Sequence, residues 1–512
     1  MKVCLVAPPM MDVVDGALQT ISMDAERECP PYGIYMLTAA LRAAGHEVVL
    51  VDLIAEQSVD LTPHHRALRD CQLVGVGATS LSWPSARVVL HQIEKLLPNV
   101  PIVLGGIHPT MFDRYVLDTT PATYVVRGEG ERALLRLCAC LATGASVADI
   151  PGLTWRTPDG SVARNPATAK IDNEELGVFP VPDYASLAPG VYKGLAIESS
   201  RGCAFDCSFC STSYRRSWRP IPAEEFVDRL TSVMPHLPLT RYHSTYIIDD
   251  EFSMNPRRAV RITELLHDRG LEPWLVYDSR ANDLLFPGYV EGMADLTCQF
   301  LVGAECGYDE GLKRIGKGTT TEKLRLAAAK LARFGISDRA DFSFILGLPW
   351  ESMDEIRTTI RFAAGLHAEF GVRILLQWYL QIPGSRLWEA DRSAGLVNEV
   401  MYDEFGFFRN LYLFRTGVRI APDDFYDVAH MVEGLQRATR ARYPERRMVE
   451  FTFPSAIAAY FPAGVLDGSD SGLVRLREVS RPGRAPTTVL EPTTVDLGVP
   501  VGVPRRHFIG YQ

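Results

Sequence analysis

Three closely spaced cysteines, Cys203, Cys207 and Cys210, are the residues of this chain that point most directly to chemistry. Their C-x3-C-x2-C spacing is compatible with half of a structural zinc site, but a closed zinc site needs a fourth ligand. No Cys or His follows until His236, and no second C-x2-C pair lies downstream. Three thiolates on one short loop fit a cubane iron-sulfur cluster in which one iron has no protein ligand. We therefore expect these three cysteines to bind such a cluster.

The overall composition fits a large globular protein that is not drawn to polyanions. A length of 512 residues predicts two or three domains. The net charge of -9 argues against long-range attraction to nucleic acid or to an anionic membrane. Ten irregularly spaced cysteines argue against a disulfide scaffold, and the first residues break at Pro8-Pro9 too early for a signal peptide. No apolar run reaches membrane-spanning length, so we expect a cytoplasmic protein without a nucleic-acid or membrane partner.

The first ~150 residues alternate apolar strands with amphipathic helices, which is the pattern of a parallel sheet with crossover helices. Ligands of such sheets bind beyond the carboxyl ends of the strands, so the loops after the strands are the candidate binding segments. The glycines in these loops let the backbone approach a large ligand closely. The five predicted strands are Val3 to Ala7, Val48 to Asp52, Leu73 to Thr79, Ile102 to Gly105 and Tyr124 to Arg127.

Strands and helices alternate again from Leu195, and the cysteine run follows the first of these strands. The six predicted strands are Leu195 to Ser199, Ser244 to Ile248, Trp274 to Tyr277, Phe300 to Gly303, Asp341 to Leu346 and Arg373 to Tyr379. Chemistry is expected where such strands end. The run Asp249-Asp250-Glu251 after the second strand fits either a divalent metal site or a structural role that holds the loop.

The cysteine run and the order of the residues that end these strands resemble the radical S-adenosylmethionine (SAM) enzymes. In that family the open iron is chelated by the amino and carboxylate groups of SAM. The resemblance implies a partial (β/α)6 barrel, with Phe209 near the adenine and Arg280 on the SAM carboxylate. It also implies that Glu305 contacts the methionine amine or the ribose and that Gln381 belongs to the SAM site. Charge-assisted pairing makes the Arg280 and Glu305 assignments chemically reasonable.

The N-terminal region resembles the cobalamin-binding domain that is joined to one large class of radical SAM enzymes. The resemblance rests on the order of Pro30-Pro31-Tyr32-Gly33, Ala44-Gly45-His46-Glu47-Val48 and Gly105-Gly106-Ile107-His108-Pro109. Because the chain has no Asp-x-His-x-x-Gly motif, the resemblance implies base-off cobalamin without a histidine ligand. Leu81 and Trp83 fit either the lower cobalt face or core packing, and a domain that has lost its ligand is the alternative. The implied cobalamin contacts are Thr79, Ser80, Leu81, Ser82, Gly105, Gly106, His108, Gly128 and Glu129.

The predicted architecture is α/β, with four regions. Residues 1–150 form a doubly wound, Rossmann-like cobalamin-binding domain, and residues 151–194 form a connector with a hairpin around Pro158-Asp159-Gly160. Residues 195–389 form the radical SAM barrel. Residues 390–512 form a mainly helical or irregular region that is expected to cap the substrate. Within it we expect an amphipathic helix from Asp423 to Arg442 over the barrel mouth, and an irregular or partly disordered tail beyond Gly464.

The resemblance implies a cobalamin-dependent radical SAM methyltransferase of class B. In this class the cofactors carry the difficult chemistry: a 5'-deoxyadenosyl radical takes hydrogen from an unactivated carbon, which then receives methyl from methylcobalamin. We expect a small-molecule substrate from secondary metabolism, such as antibiotic biosynthesis, and an external electron donor such as flavodoxin or ferredoxin. No catalytic protein group is expected beyond the three cluster ligands.

Three other functions stay open at the level of the sequence. A cyclase or another radical rearrangement would use the same cofactors without methyl transfer. A methylthiotransferase would need a second cluster, for which Cys4, Cys29 and Cys71 are candidate ligands, although Cys4 lies inside the first predicted strand. A cobalamin carrier without catalysis is the third. Cys298 and Cys306 are expected to be buried free cysteines.

Overall fold

A computed structural model describes residues 1–14, 17–20, 28–212, 214–403, 424–444, 448–452, 474–480 and 486–492. Two parallel sheets dominate the described chain, each with helices packed on it. Short 3-10 helices lie at Thr62–His64, Tyr184–Ser186, Met234–Leu239, Phe252–Met254, Ser337–Arg339 and Glu399–Asp403. In the part of the chain that is described, no helix is both long and apolar enough to span a membrane.

The N-terminal sheet contains the five strands predicted from the sequence. Its strands and the hairpin beside it are β1 (Lys2–Ala7), β2 (Met11–Val14), β3 (Ala17–Thr20), β4 (Glu47–Asp52), β5 (Leu73–Gly77), β6 (Ile102–Gly105), β7 (Tyr124–Val126), β8 (Leu153–Arg156) and β9 (Val162–Arg164). Its helices are α1 (Tyr32–Ala43), α2 (Leu53–Glu56), α3 (His65–Leu68), α4 (Trp83–Leu96), α5 (Ile107–Met111), α6 (Asp113–Thr119), α7 (Gly130–Thr143) and α8 (Asn173–Val178).

The strand order of this sheet is β4-β1-β5-β6-β7-β8-β9. The first five strands in that order are parallel, and the chain reverses its direction of winding between β1 and β5, where open α/β sheets bind ligands. Antiparallel strands β8 and β9 extend the edge. They are the hairpin that we predicted in the connector, so the sheet continues beyond residue 150.

The second sheet is the partial barrel. Its strands and neighbouring ribbons are β10 (Gly194–Ile197), β11 (Ser200–Arg201), β12 (Arg219–Pro220), β13 (Ser244–Ile247), β14 (Trp274–Ser279), β15 (Thr297–Glu305), β16 (Ala340–Leu346), β17 (Arg373–Trp378), β18 (Val449–Thr452), β19 (Val474–Ser480) and β20 (Pro486–Pro492). The helices are α9 (Ala223–Val233), α10 (Pro256–Asp268), α11 (Ala281–Leu284), α12 (Tyr289–Met293), α13 (Asp309–Ile315), α14 (Thr321–Arg333), α15 (Met353–Phe370), α16 (Arg386–Ser393) and α17 (Asp424–Arg442).

All six predicted barrel strands are present, and a seventh joins them. The parallel order is β10-β13-β14-β15-β16-β17-β18, with Ile374 opposite Val449 and Gln377 opposite Thr452. We missed β18 because it is only four residues long and lies in a segment where the alternation of strands and helices is weak. The barrel therefore recruits a strand from the C-terminal region.

Helix α17 forms where the sequence predicted it, but the prediction of its place over the barrel mouth was wrong. It packs beside α15 on the outer layer: Arg442 donates to the carbonyl of Ala368 at 3.0 Å, and Val428 and Val432 are part of the barrel core. It is the helix that precedes β18. An amphipathic pattern specifies which face of a helix is buried but not against which surface.

The C-terminal tail was predicted to be irregular or partly disordered, and this was wrong for part of it. Within the residues that the structure describes, β19 and β20 pair as an antiparallel hairpin, from Val474 opposite Pro492 to Ser480 opposite Pro486. The rest of the predicted tail lies outside the described residues.

A segment between the N-terminal hairpin and α1 enters the barrel. Cys29 packs with the inward-facing Ala196, Val276 and Cys298, and Glu28 pairs with the buried ammonium group of Lys193. The hydroxyl group of Tyr246 also donates to Glu28. The ion pair is 7% exposed on the glutamate side chain and 2% on the lysine side chain. This segment closes the interior near the start of β10.

Candidate active site

The cysteine loop leaves the barrel through the short ribbon of β11 and β12, in which Arg201 lies opposite Arg219. Gly202 has φ of +79°, and a Cβ atom there would collide with the carbonyl oxygens of Ser217 and Tyr214. Glycine is therefore required at the point where the chain enters the loop. The main-chain amide group of Cys203 donates to the carbonyl of Tyr214 at 3.3 Å, which closes the base of the loop.

Two of the three acidic residues after β13 hold this loop. Asp249 accepts bonds from the amide and hydroxyl groups of both Ser199 and Ser200. Asp250 accepts from the amide of Gly202 at 3.1 Å and from the hydroxyl of Thr212, so it connects the two ends of the loop. These contacts favour the structural interpretation of the acidic run over a divalent metal site. Burial raises the pKa of both carboxyl groups.

The three thiols lie on one loop, and none of them forms a disulfide. The sulfur of Cys203 accepts from the amide of Phe205 at 3.5 Å, and that of Cys210 accepts from the amide of Thr212 at 3.4 Å. Among the described residues no three His, Cys, Asp or Glu side chains converge to hold one metal ion. This does not conflict with a cubane cluster, because each cysteine then binds a different iron. The donor set fits a cluster better than zinc.

Arg280 lies directly against the cysteine loop. Its guanidinium carbon is 3.5 Å from the centroid of the Phe205 ring, and the group donates to the carbonyl of Lys317. The side chain follows β14 at the carboxyl end of the barrel, and the residue is only 5% exposed. A buried guanidinium group next to the expected open iron can pair with a carboxylate ligand.

Glu305, at the end of β15, combines backbone strain with an unused acceptor. Its φ of +64° is rare for a residue with a side chain, and the register of β15 and β16 shifts between Gly303 and Glu305. One carboxylate oxygen lies 2.7 Å from the ammonium group of Lys317, whereas the other is buried without a partner. Strain of this kind collects at ligand sites, and a buried acceptor without a partner indicates an absent donor.

The structural support for Gln381 and Phe209 as SAM contacts is less direct than for Arg280 and Glu305. The Gln381 side chain accepts from the hydroxyl group of Tyr379 at 3.2 Å and donates to Asp391, so its polar atoms are used within the protein. Phe209 is half-buried and packs against the barrel core from the cysteine loop. The structure thus places Arg280 against the cysteine loop, of which Phe209 is a part, and leaves the polar atoms of Gln381 bonded within the protein.

Asp278, which lies next to this group, was not predicted from the sequence. One of its carboxylate oxygens is buried without a partner, and burial raises its pKa to about 7, against the effect of nearby Lys317. Asp278 has the same parity on β14 as inward-facing Val276. A charged residue at an inward position just before Ser279-Arg280 was the signal that would have identified it. Glu251 is also perturbed, since burial raises its pKa to about 8.

The loops after β5 and β6 form the candidate cobalamin cradle. Thr79 and Ser82 exchange bonds between amide and hydroxyl groups at 3.1 and 3.2 Å, which fixes the turn that contains Leu81. Gly106 has φ of +97°, and a Cβ atom there would lie 2.5 Å from the carbonyl oxygen of Ala78. A Cβ atom at Gly105 would instead meet nothing within 4 Å, so this position borders open space.

His108 is fully buried next to this turn. Its ring stacks on Trp83 with 4.5 Å between centroids, and Nδ1 lies 3.1 Å from the hydroxyl oxygen of Ser80. Burial lowers the pKa of His108 to about 3, so the imidazole is neutral, and its Nε2 atom has no partner. Trp83 is also fully buried and donates to Asp403 at 2.8 Å. For Trp83 this favours core packing over contact with cobalt.

The loop after β7 contacts the base of the cysteine loop. The Glu129 carboxylate lies 2.8 Å from the guanidinium group of Arg219 and 3.4 Å from that of Arg201, and it also accepts from the amide of Ile171. Arg201 lies 2.6 Å from Glu131 as well. The amide of Gly128 donates to Thr110 at 3.0 Å. Glu129 therefore connects the two sheets.

The three cysteines that a second cluster would need are not together. Cys4 and Cys71 lie in the core of the N-terminal sheet, whereas Cys29 packs with Cys298 inside the barrel. This separation argues against the methylthiotransferase alternative. Cys298 and Cys306 are buried and form no disulfide, as expected.

Two family models match the chain: a B12 binding domain over residues 19–137 and the radical SAM superfamily over residues 197–363. An uncharacterized methyltransferase of Pyrococcus horikoshii is 30% identical over 402 residues, which is 76% of this chain and 83% of that protein. The anaerobic magnesium-protoporphyrin IX monomethyl ester cyclase of Rubrivivax gelatinosus is 28% identical over 354 residues, with 65% of this chain and 62% of the cyclase covered.

The fold is similar to that of a cobalamin-dependent SAM radical enzyme, OxsB, solved with aqua-cobalamin and SAM bound. The TM-score is 0.60 at 21% identity over 71% of this chain, and the match spans about half of OxsB (52%). The two family models identify cobalamin, SAM and a [4Fe-4S] cluster as the cofactors. The cysteine loop and the two sheets that it joins are thus those of an enzyme, and the chain belongs to the cobalamin-dependent radical SAM methyltransferases.

Proposed function

We propose that this protein transfers a methyl group from SAM, through methylcobalamin, to an unactivated carbon of a small-molecule intermediate of natural-product biosynthesis. The observation that carries the proposal is the bonding of the Glu129 loop, at the carboxyl end of the N-terminal sheet, to Arg201 and Arg219 at the base of the cysteine loop. This contact supports an arrangement in which cobalamin and SAM face a shared substrate. Such positioning of reactants is the main contribution of the protein in cofactor enzymes.

In this proposal the residues at the barrel opening hold SAM. Cys203, Cys207 and Cys210 ligate the cluster, and Arg280 pairs with the SAM carboxylate. The free oxygen of Glu305 accepts from the methionine ammonium group or a ribose hydroxyl group, while Lys317 fixes the carboxylate from the other side. Phe209 supports the adenine. Gln381 acts through the contacts that it makes within the barrel.

The cobalamin contacts are proposed on the loops that follow β5, β6 and β7. Open space at Gly105 and the fixed turn from Thr79 to Ser82 support a large ligand at this edge. The bound form is proposed to be base-off, without a histidine on cobalt. His108 is the histidine of these loops, and its ring is held between Trp83 and Phe112 with Nδ1 on Ser80. Glu129 acts by connecting the two sheets, because its carboxylate is occupied.

A product assay tests the function. Anaerobically reconstituted protein, supplied with SAM, cobalamin, a reductant and candidate substrates, is expected to form S-adenosylhomocysteine, 5'-deoxyadenosine and a methylated product. Turnover that does not depend on cobalamin would contradict the proposal. The electron for this reaction comes from an external one-electron carrier such as flavodoxin or ferredoxin.

Similarity to the monomethyl ester cyclase favours one alternative, a radical cyclisation or rearrangement without methyl transfer. This reaction would yield 5'-deoxyadenosine without S-adenosylhomocysteine. The same assay therefore separates the two functions.

A further inference from the structure

A group of cations lies on the solvent side of the cysteine loop. The Arg216 side chain is 74% exposed and that of Arg386 is 52% exposed, and both pair with Asp206, which lies between the first two cluster cysteines. Arg215 shares the same carboxylate at 3.7 Å. One carboxylate cannot neutralise three guanidinium groups, so the outer surface of the loop is positive.

Helix α13 adds two more cations to this surface. Lys313 and Arg314 are exposed in its last turn. The helix ends against the cysteine loop, because the amide of Ser208 donates to the carbonyl of Ile315 at 2.8 Å and the thiol of Cys207 lies 3.8 Å from the carbonyl of Gly316. We call Arg215, Arg216, Lys313, Arg314 and Arg386 the basic rim.

One member of the basic rim, Arg216, has an unusual backbone conformation. Arg216 has φ of +57°, a conformation that residues with side chains seldom adopt, and it carries the most exposed guanidinium group of the three that meet Asp206. Strained residues of this kind collect at functional sites. The exposed acids on the helices that contribute to the rim are Asp309 and Glu310 on α13 and Glu389 on α16. Together with Asp206 they are outnumbered by the five cations of the basic rim.

The positive charge of the basic rim contrasts with the net charge of -9 of the whole chain. An acidic partner is repelled by most of this protein and attracted to the basic rim, which steers its approach to one place. Cys203 and Cys210 are partly exposed at this loop. The patch therefore lies where an electron would enter the cluster.

We infer that the basic rim is the docking surface for a small acidic flavodoxin that reduces the cluster. The inference rests on the proposed function, since it needs the cluster on Cys203, Cys207 and Cys210. In the step itself, the reduced flavin of the carrier loses one electron and the cluster gains one electron. No atom is transferred, and the two proteins then separate.

The test uses the double variant Arg216→Glu/Lys313→Glu in the full chain, with Arg333→Glu, an exposed residue in the last turn of α14, as the control for charge reversal. Binding of a flavodoxin of net negative charge is measured by calorimetry at several salt concentrations. The double variant is expected to bind at least about tenfold more weakly and to lose most of the salt dependence. The control is expected to match the wild type.

Cluster reduction is then followed anaerobically with reduced flavodoxin and, separately, with dithionite. We expect the double variant to be slow with flavodoxin only. Unchanged flavodoxin binding, or equal losses with both reductants, would overturn the inference. If the wild type forms no 5'-deoxyadenosine with either reductant, the proposed function fails, while the binding measurement still decides the docking surface.

Discussion

The Glu129 carboxylate and the Arg219 guanidinium group lie 2.8 Å apart and join the N-terminal sheet to the base of the cysteine loop. Both side chains are less than a tenth exposed. Arg201, opposite Arg219 in the β11 and β12 ribbon, shares the same carboxylate. We expect this small group of charges to set the spacing between the two candidate cofactor sites.

Glu129→Gln is expected to destabilise the protein and to uncouple its two half-reactions. Removing one partner of a buried ion pair costs about 3 kcal/mol, because the two arginines keep their desolvated charge. The apparent melting temperature should fall, and the ratio of 5'-deoxyadenosine to methylated product should rise. Glu224→Gln, which removes an exposed pair with Arg261, is the control for which neither quantity should change. An unaltered product ratio in a folded Glu129→Gln protein would count against the spacing role.

Cys203→Ala, Cys207→Ala or Cys210→Ala should each abolish SAM cleavage, because every thiolate holds a different iron. Reconstituted wild-type protein is expected to contain one four-iron cluster per chain, measured as iron and sulfide. Cys298→Ala, which alters a buried cysteine in the barrel interior, serves as the control and should retain the cluster. Two clusters per chain would revive the methylthiotransferase alternative.

Glu305→Gln should weaken SAM binding, because a charge-assisted bond to the ligand is replaced by a neutral one. Such a bond contributes about 1.5–3 kcal/mol and a neutral one about 0.5–1.5 kcal/mol, so the Kd is expected to rise roughly tenfold. Calorimetric titration of the reconstituted protein with SAM measures the change. The matched control is Glu310→Gln on the exposed face of α13, for which SAM should bind as in the wild type.

The burial and bonding of His108 allow a prediction for the electron paramagnetic resonance spectrum of bound cobalamin. If cobalt has no histidine ligand, electron paramagnetic resonance of the Co(II) form should show no nitrogen splitting. His108→Ala should leave that spectrum unchanged. Nitrogen splitting that disappears in His108→Ala would identify His108 as the lower ligand and refute the base-off, histidine-free proposal.

His108 also predicts a pH dependence of stability. Burial lowers its pKa from the ordinary 6.5 to about 3, so between these values the unfolded chain binds a proton that the folded chain does not. The free energy of unfolding should therefore fall as the pH falls below 6.5, by about 1 kcal/mol for each pH unit. Melting temperatures at pH 7.5 and 5.5 should differ less in His108→Phe than in the wild type. His267→Phe, at a partly exposed site, should keep the wild-type difference.

Much of the fold could be read from the sequence because buried parallel strands leave short apolar runs. The five N-terminal strands and six barrel strands were all found in this way. The seventh barrel strand, Val449–Thr452, was missed because four residues carry too little pattern. The predicted position of α17 over the barrel mouth was wrong, because periodicity identifies the buried face of a helix and not the surface against which that face packs.

Some residues of the candidate site could be named from the sequence. The spacing of Cys203, Cys207 and Cys210 indicated a cluster by itself, whereas Arg280 and Glu305 were assigned because the order of the residues after the strands resembles the radical SAM enzymes. Asp278 was missed because its importance lies in an unpartnered oxygen, which only the surroundings reveal. The contact of Glu129 with Arg201 and Arg219 was hidden for the same reason, since the residues are distant in the chain.

The segment around Glu28 and Cys29 limits how this protein can be divided. Cutting the chain between the two sheets would leave the Lys193 ammonium group buried without its carboxylate and would expose Cys298 and its neighbours inside the barrel. The N-terminal part is thus not an interchangeable module. A chimera that takes its cobalamin domain from a relative would have to carry over this segment and Lys193 together.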